Sequence, residues 1–517
     1  MTSAAFAERS SGVLLHLTSL PGPFGAGDLG PAAHRFVEFL ARAGQRHWQM
    51  LPVVPPGGGD SPYDSPSAFA GSPWLVSLEL LAQQGLLDRE DLVVPARLRE
   101  APRTRYQATR RFRERRLRKA FARFMQRPEA RRELDATLEA HRGWLFDYAL
   151  FCALKRAHAG QPWTAWPAEL ARREPAAIER ARRELGAEFD YVVFVQGAFS
   201  RQWAALRARA TELGVRLLGD VPMFVAHDAA DVWSNQELFQ LHPDGSKRVV
   251  AGVPPDYFSA DGQLWGNPLY DWARLKETGY AWWIARMRTT LERFDALRLD
   301  HFIGFHRYWQ VPASATSAKD GQFIEAPGHD FLEHLQKALG HLPFIAEDLG
   351  VVTEGVVRLR DHFELPGMRI LMFGFGSDWR EYQPHRYPRR VVAYTGTHDN
   401  DTLNGWLSSA EREPDARRRR ELEAERTRAF DYAGSDGVEA HWDLVRTLIA
   451  SVADTTIFPI QDLLGLGTEA RMNVPGIAHG NWTFRVEDDA LTPALAERLA
   501  RLCDIYERIP QGVRRSP

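Results

Sequence analysis

FDALRLDHFIGFHRYW, residues 294–309, opens as an apolar run and ends among charges and aromatic rings. Ala296–Asp300 fits a short strand, and because strand side chains alternate, Arg298 and Asp300 fall on one face. A guanidinium beside Asp300 favours the ionised carboxylate that a nucleophile or charge stabiliser needs. His301 and His306, just beyond, are placed to donate hydrogen bonds to a polar substrate. A purely structural Arg–Asp pair at a strand end would read the same way, so the meaning of this run depends on what accompanies it.

Seven other runs share its make-up, each followed by a Gly, Pro or polar loop: Val13–Leu17, Trp48–Val53, Val215–Gly219, Phe344–Glu347, Arg369–Phe373, Val391–Thr395 and Thr456–Ile460. Near-continuous apolar runs mark strands buried on both faces, as parallel strands are. Amphipathic stretches such as His34–Ala43, Phe189–Leu213 and Tyr280–Phe294 lie between them. Eight strands alternating with helices predict an α/β fold, a (β/α)8 TIM barrel with its active site at the C-terminal strand ends. A doubly wound open sheet shows the same alternation.

Two spacings exceed what one crossover helix fills. Residues from about 78 to 190, rich in Arg, Glu, Ala and Leu and including RRFRERRLRKAFARF (110–124), predict an inserted helical subdomain with a solvated basic face. Residues from about 222 to 271, rich in Pro, Gly and aromatics, predict an inserted substrate-binding loop subdomain. Glu411–Arg428 is charged and helical in pattern, a surface element. The whole of 1–517 is then one catalytic barrel carrying two insertions.

With 517 residues, 44% of them hydrophobic, the chain can bury a large core. Its 65 basic and 67 acidic residues leave a net charge of -2, which argues against nucleic acid or an anionic membrane as a partner. Cys152 and Cys503 form neither a disulfide framework nor a CxxC pair, as suits a reducing cytoplasm. No apolar run is long enough to span a membrane, and the N-terminus lacks a signal-peptide pattern. Trp is abundant, and rings not used in the core would suit the C–H faces of sugars.

Cofactor and nucleophile signatures are missing: HExxH, GxxxxGK[ST], GxSxG, and GxGxxG between a strand and a helix. Carboxylates at strand ends take their place. In PFIAEDLGVVTEGV (343–356), Glu347 follows an apolar strand and sits near other carboxylates, which raises its pKa toward that of a general acid. Asp348 points the opposite way. In VVAYTGTHDNDTLNGW (391–406), His398 and Asp399 end another run and could grip neighbouring sugar hydroxyls. A metal at HDND would need a second His cluster, which the sequence lacks. Three acids at three strand ends are what retaining glycoside chemistry requires: a nucleophile, an acid/base and a third carboxylate near the oxocarbenium-like centre.

RLDHF, IAEDLG and YTGTHDNDT resemble the catalytic-strand motifs of the amylomaltase family, the 4-α-glucanotransferases of glycoside hydrolase family 77, related to the α-amylases. The resemblance runs through GVLLHLTSLPGPFGAGDLG, SPYDSPSAFAGSP, GDVPMFVAHDAADVW, VAGVPPDYFSADGQLWGNPLYDW, RMNVPG and GNWTFR, and so covers nearly the whole chain. It implies an α-amylase-type barrel without the usual C-terminal β domain. Asp300 would be the nucleophile, Glu347 the acid/base and Asp399 the transition-state stabiliser. Arg298, His301, His398 and Asp220 would line the site of the transferred glucose, and Tyr63, Tyr257, Phe258, Trp265 and Asn473 would be glucan contacts.

The implied activity is disproportionation of α-1,4-glucans without a cofactor or metal. Its partners would be maltooligosaccharides, starch or glycogen fragments as donors, and glucose or another glucan as acceptor. The sequence departs from the family at Gly58, where an aromatic is common, and at Arg386, where Asn is common. Tyr257 and Phe258 lie between Pro254–Pro255 and Gly262, a stiff entry and flexible exit that suit a lid over a covalent intermediate.

Overall fold

The apolar runs become strands of one parallel sheet in the computed structural model, which describes residues 6, 8–255, 261–376 and 379–509. Among these residues the strands follow in chain order as β1 (Ser10–Leu14), β2 (His47–Gln49), β3 (Arg216–Val221), β4 (Val249–Val253), β5 (Gln263–Pro268) and β6 (Ala296–Leu299). Then come β7 (Arg307–Pro312), β8 (Gln322–Glu325), β9 (Phe344–Ala346), β10 (Gly367–Ile370), β11 (Val391–Tyr394) and β12 (Thr455–Pro459). Eight of them pair in parallel in the order β10-β11-β12-β1-β2-β3-β6-β9. At the seam between β9 and β10, Ala346 N–H donates to the Pro366 carbonyl at 2.9 Å and Met368 N–H to Asp348 Oδ1 at 2.7 Å. The sheet thereby rounds into a (β/α)8 barrel rather than remaining open.

The barrel strands are buried throughout their length except at Arg216 on β3 and Arg369 on β10, which is why no alternation of polar and apolar residues shows in their sequences. All of them except β3 stop sooner than the apolar runs suggest, and at two the difference bears on the site. β6 ends at Leu299 and β9 at Ala346, so Asp300 and Glu347 stand just beyond the strands. Their N–H groups still extend the ladder, Asp300 to the Val221 carbonyl at 3.0 Å and Glu347 to that of Leu299 at 3.1 Å. The extended chain breaks at the next residue, His301, which is left-handed with φ 53°.

Between β2 and β3, helices Tyr106–Phe124, Ala130–Ala140, Leu145–Ala157 and Pro175–Glu184 pack against the long helix Gly186–Glu212. The solvated basic face expected on residues 110–124 is present at Arg111, Arg115 and Lys119, but other guanidiniums of this helix turn inward. Arg113 is fully buried, paired with Asp28 at 2.9 Å and donating to the Ala26 and Val76 carbonyls. Arg118 pairs with Glu188 at 2.7 Å and lies over the Tyr191 ring. These guanidiniums fasten the inserted helix to the loop after β1 and to the long helix, because a planar fork of donors can serve carboxylates and loop carbonyls together.

The stretch expected as the second insertion, 222–271, supplies β4 and β5, but β7 and β8 complete their sheet, antiparallel in the order β5-β4-β7-β8. A boundary at 271 therefore cuts a sheet whose other half returns after β6. Strand pairing is a relation in space, and composition along the chain does not carry it. Residues 409–433 form helices Ser409–Arg412 and Ala416–Ala433, and in the longer one Ala429 is the buried residue. After the last helix, Pro493–Ile505, the Arg508 side chain is fully buried and donates to the carbonyls of Ser10, Ile449, Ser451, Ala453 and Asp454.

Candidate active site

Register decides which charges meet at the barrel's C-terminal end. β3 and β6 pair with Asp220 opposite Arg298, and both side chains are buried. Arg298 Nη1 lies 2.8 Å from Asp220 Oδ2 and 3.0 Å from Asp300 Oδ1, so one guanidinium bridges a carboxylate on β3 and one just beyond the end of β6. Burial alone would lower the Arg298 pKa, but Asp220 and Asp300 outweigh it and hold the guanidinium charged. Tyr63 closes the cluster: its hydroxyl donates to Asp220 Oδ2 at 2.8 Å and lies 2.9 Å from His398 Nε2. Its ring stacks on that imidazole with centroids 5.3 Å apart.

Glu347 occupies the equivalent position on β9. Its two oxygens accept separate backbone bonds, Oε2 from His301 N–H at 2.7 Å and Oε1 from Leu349 N–H at 3.0 Å. The first bond explains the backbone of His301, since a non-glycine residue adopts the left-handed region at a cost of roughly 1–2 kcal/mol and here turns its N–H onto Glu347. Burial raises the Glu347 pKa to about 8, with Asp300 adding to the rise and Arg298 and the two N–H groups opposing it. Asp348 points into the seam, as its neighbour's alternation requires, and binds Met368 N–H and Arg360.

Asp399 and His398 stand on the loop after β11. Asn473 Nδ2 donates to Asp399 Oδ1 at 2.6 Å, Arg471 Nη2 to the Asp399 carbonyl at 2.6 Å, and Asn473 N–H to the His398 carbonyl at 3.0 Å. The amide of Asn473, expected to contact glucan, donates instead to the Asp399 carboxylate and orients it. Sequence reasoning missed Arg471, Trp482 and His16. Trp482 faces both Tyr63 and His398, at 5.7 and 6.0 Å. His16 is buried after β1, and burial with nearby His398 lowers its pKa to about 3, so the ring stays neutral. None of the three sits beside an acid in the sequence, although each lies within a motif that carries the family resemblance.

Trp265 on β5 is 39% exposed and meets the His301 ring edge-on at 4.9 Å, which leaves an aromatic surface beside the carboxylates. His306 does not join the cluster. A Cβ at Gly355 would come within 2.1 Å of His306 Nε2, so the imidazole fills the space that this glycine leaves open. Tyr257 and Phe258 lie outside the described residues. Among the described residues no group of three or more His, Cys, Asp or Glu side chains could hold a metal ion, and no helix is long and apolar enough to cross a membrane.

What converges is a guanidinium-bridged carboxylate pair, a buried glutamic acid with a raised pKa, and a third carboxylate gripped by an amide. The sequence profile described as 4-alpha-glucanotransferase matches residues 15–492. The 4-alpha-glucanotransferase of Thermus thermophilus is 45% identical over 506 residues, covering 97% of this chain and 99% of that protein. That of Synechocystis sp. is 45% identical over 515 residues, covering 97% and 98%. Among solved structures, the amylomaltase from Streptococcus agalactiae in complex with acarbose superposes with a TM-score of 0.92 at 36% identity, covering 97% of this chain and all of that one.

Proposed function

The chain belongs to the 4-alpha-glucanotransferase family, and from that premise we propose how its carboxylates divide the reaction. The enzyme transfers segments of α-1,4-glucans with retention of configuration. Asp300 attacks the anomeric carbon while Glu347 gives its proton to the departing 4-oxygen, so the C1–O4 bond breaks as a β-glycosyl ester forms. The 4-hydroxyl of an acceptor then enters, loses its proton to the Glu347 carboxylate and displaces Asp300. Two inversions restore the α linkage. Asp399 steadies the oxocarbenium-like centre through the sugar hydroxyls, and Arg298, His301, His398 and Asp220 surround the glucose unit in transit.

The contrast between the two acids carries this reading. Glu347 is buried and its pKa is raised to about 8, so it holds a proton at neutral pH. Asp300, with 29% of its side chain exposed, is ion-paired with Arg298 and open to a substrate. The two N–H groups on Glu347 stabilise the carboxylate that appears once the proton has gone, so the group can serve as acid and then as base.

Maltooligosaccharides and starch or glycogen fragments are the proposed donors, and glucose or another glucan the acceptor. Tyr63, Trp265 and Asn473 are the proposed contacts to them, though the Tyr63 and Asn473 polar groups also serve Asp220, His398 and Asp399. Two free cysteines, Cys152 and Cys503, support a cytoplasmic setting. Incubation with maltotriose tests the function. A ladder of longer maltooligosaccharides with glucose is expected, and glucose and maltose alone would indicate a hydrolase instead.

A further inference from the structure

A carboxylate that must meet a transition state needs its loop held as firmly as its side chain. Residues 396–402, between β11 and the helix Leu403–Leu407, carry His398 and Asp399 and contain no strand or helix of their own. Beneath them lies the segment that follows β12, and hydrogen bonds join it both to the loop and to the helix Leu403–Leu407 after it. Asn404 Nδ2 donates to the Gly465 carbonyl at 2.7 Å and Thr468 Oγ1 to Asp401 Oδ2 at 2.8 Å, beside the Arg471 and Asn473 bonds to Asp399 already described.

Asp462 is the root of this arrangement. It is 1% exposed, in the short helix Ile460–Leu463, and each oxygen takes one bond. Oδ2 accepts from Thr395 Oγ1 at 2.5 Å and Oδ1 from Leu403 N–H at 2.8 Å. Thr395 is the last residue before the loop and Leu403 the first after it, so a single carboxylate fixes both feet. Among the described residues no cationic side chain pairs with it, and burial followed by the nearby Asp401 charge pushes its pKa up to about 7. A buried carboxylate without a counter-ion is a poor device for stability alone.

We propose that Asp462 is a positioning residue for glucan transfer, setting the height and angle at which Asp399 meets the transferred sugar by clamping both ends of its loop. The proposal rests on the assignment of Asp399 made above, and the test separates the two. Initial rates on maltotriose are compared for the parent, Asp399→Asn, Asp462→Ala, Asp462→Asn, Thr395→Val and the double variants with Asp399→Asn, each with its thermal midpoint.

With Asp462→Ala, kcat is expected to fall on the order of 100-fold at little change in KM, the scale of a small misplacement of a catalytic group. Thr395→Val, which removes one bond and keeps the volume, should lose roughly tenfold in kcat. In Asp462→Asn the amide oxygen still accepts from Leu403 and its N–H can donate to Thr395, so most of kcat should return. Combined with Asp399→Asn, Asp462→Ala and Thr395→Val should each cost markedly less than they do alone, because the clamp acts chiefly through Asp399, with His398 on the same loop carrying the remainder.

Parental kcat in Thr395→Val, or losses that add in full to that of Asp399→Asn, would overturn the inference. Thr395→Val decides the matter even where Asp462→Ala does not fold. Parental activity in Asp399→Asn would instead remove the assignment on which the inference stands.

Discussion

At the scale of the residue, Glu347 shows how one environment sets both chemistry and stability. The folded protein holds its proton up to about pH 8 against an ordinary value of 4.5. Between those values the native state binds more protons than the unfolded chain, so the stability linked to this group is complete below about pH 4.5 and is lost as pH rises through 8. Glu347→Gln abolishes that dependence. The variant's thermal midpoint is expected to gain on the parent's from pH 5 to pH 9, which calorimetry at the two values would check. Turnover of maltotriose should vanish in it, while glycosylation by α-glucosyl fluoride survives, because fluoride departs without a proton. Equal losses on both donors would remove Glu347 as the acid. Asp300→Asn should abolish turnover of both donors, since no leaving group replaces the nucleophile.

At the scale of the element, the barrel strands bring charge to a common height and the loops after them turn it inward. The loop 61–73 illustrates the second step. It leaves Tyr63 between Asp220 on β3 and His398 beyond β11, two residues that no strand pairing joins. Tyr63→Phe would leave both buried partners short of a bond at a cost of roughly 1–3 kcal/mol. A urea titration should show this as a lower midpoint at unchanged slope, and kcat on maltotriose should fall as His398 and Asp220 lose their common restraint. An unchanged midpoint would mean that another group replaces the hydroxyl. That Tyr63 belongs near the site was legible through the family motif. Its use as a bridge was not, because the bridge spans residues 63, 220 and 398.

At the scale of the whole molecule, Arg508 ties the C-terminal segment to β1, to the end of the helix Ala440–Ala450 and to the loop between that helix and β12, serving carbonyls from residues 10, 449, 451, 453 and 454. Arg508→Met would strand those acceptors and should lower stability by roughly 2–4 kcal/mol, with specific activity of the folded fraction unchanged. Arg508→Lys should rescue little, since one ammonium cannot reach carbonyls spread around a planar fork. Thermal midpoints of the three proteins check both statements, and a full rescue by lysine would show that charge alone suffices there. By itself the sequence determined that eight apolar runs alternate with helices and that Asp300, Glu347 and Asp399 stand at the ends of three of them, because burial on both faces and a carboxylate at a strand end are local patterns. Only the tertiary structure decided that the seam of the expected barrel lies between β9 and β10, that β7 and β8 complete the second sheet, and that Arg298 bridges Asp220 to Asp300. The clamp of Asp462 on the Asp399 loop belongs with these. Each is a contact between residues distant in the chain, fixed by register and by the need to satisfy buried polar groups, and neither leaves a periodicity in the sequence.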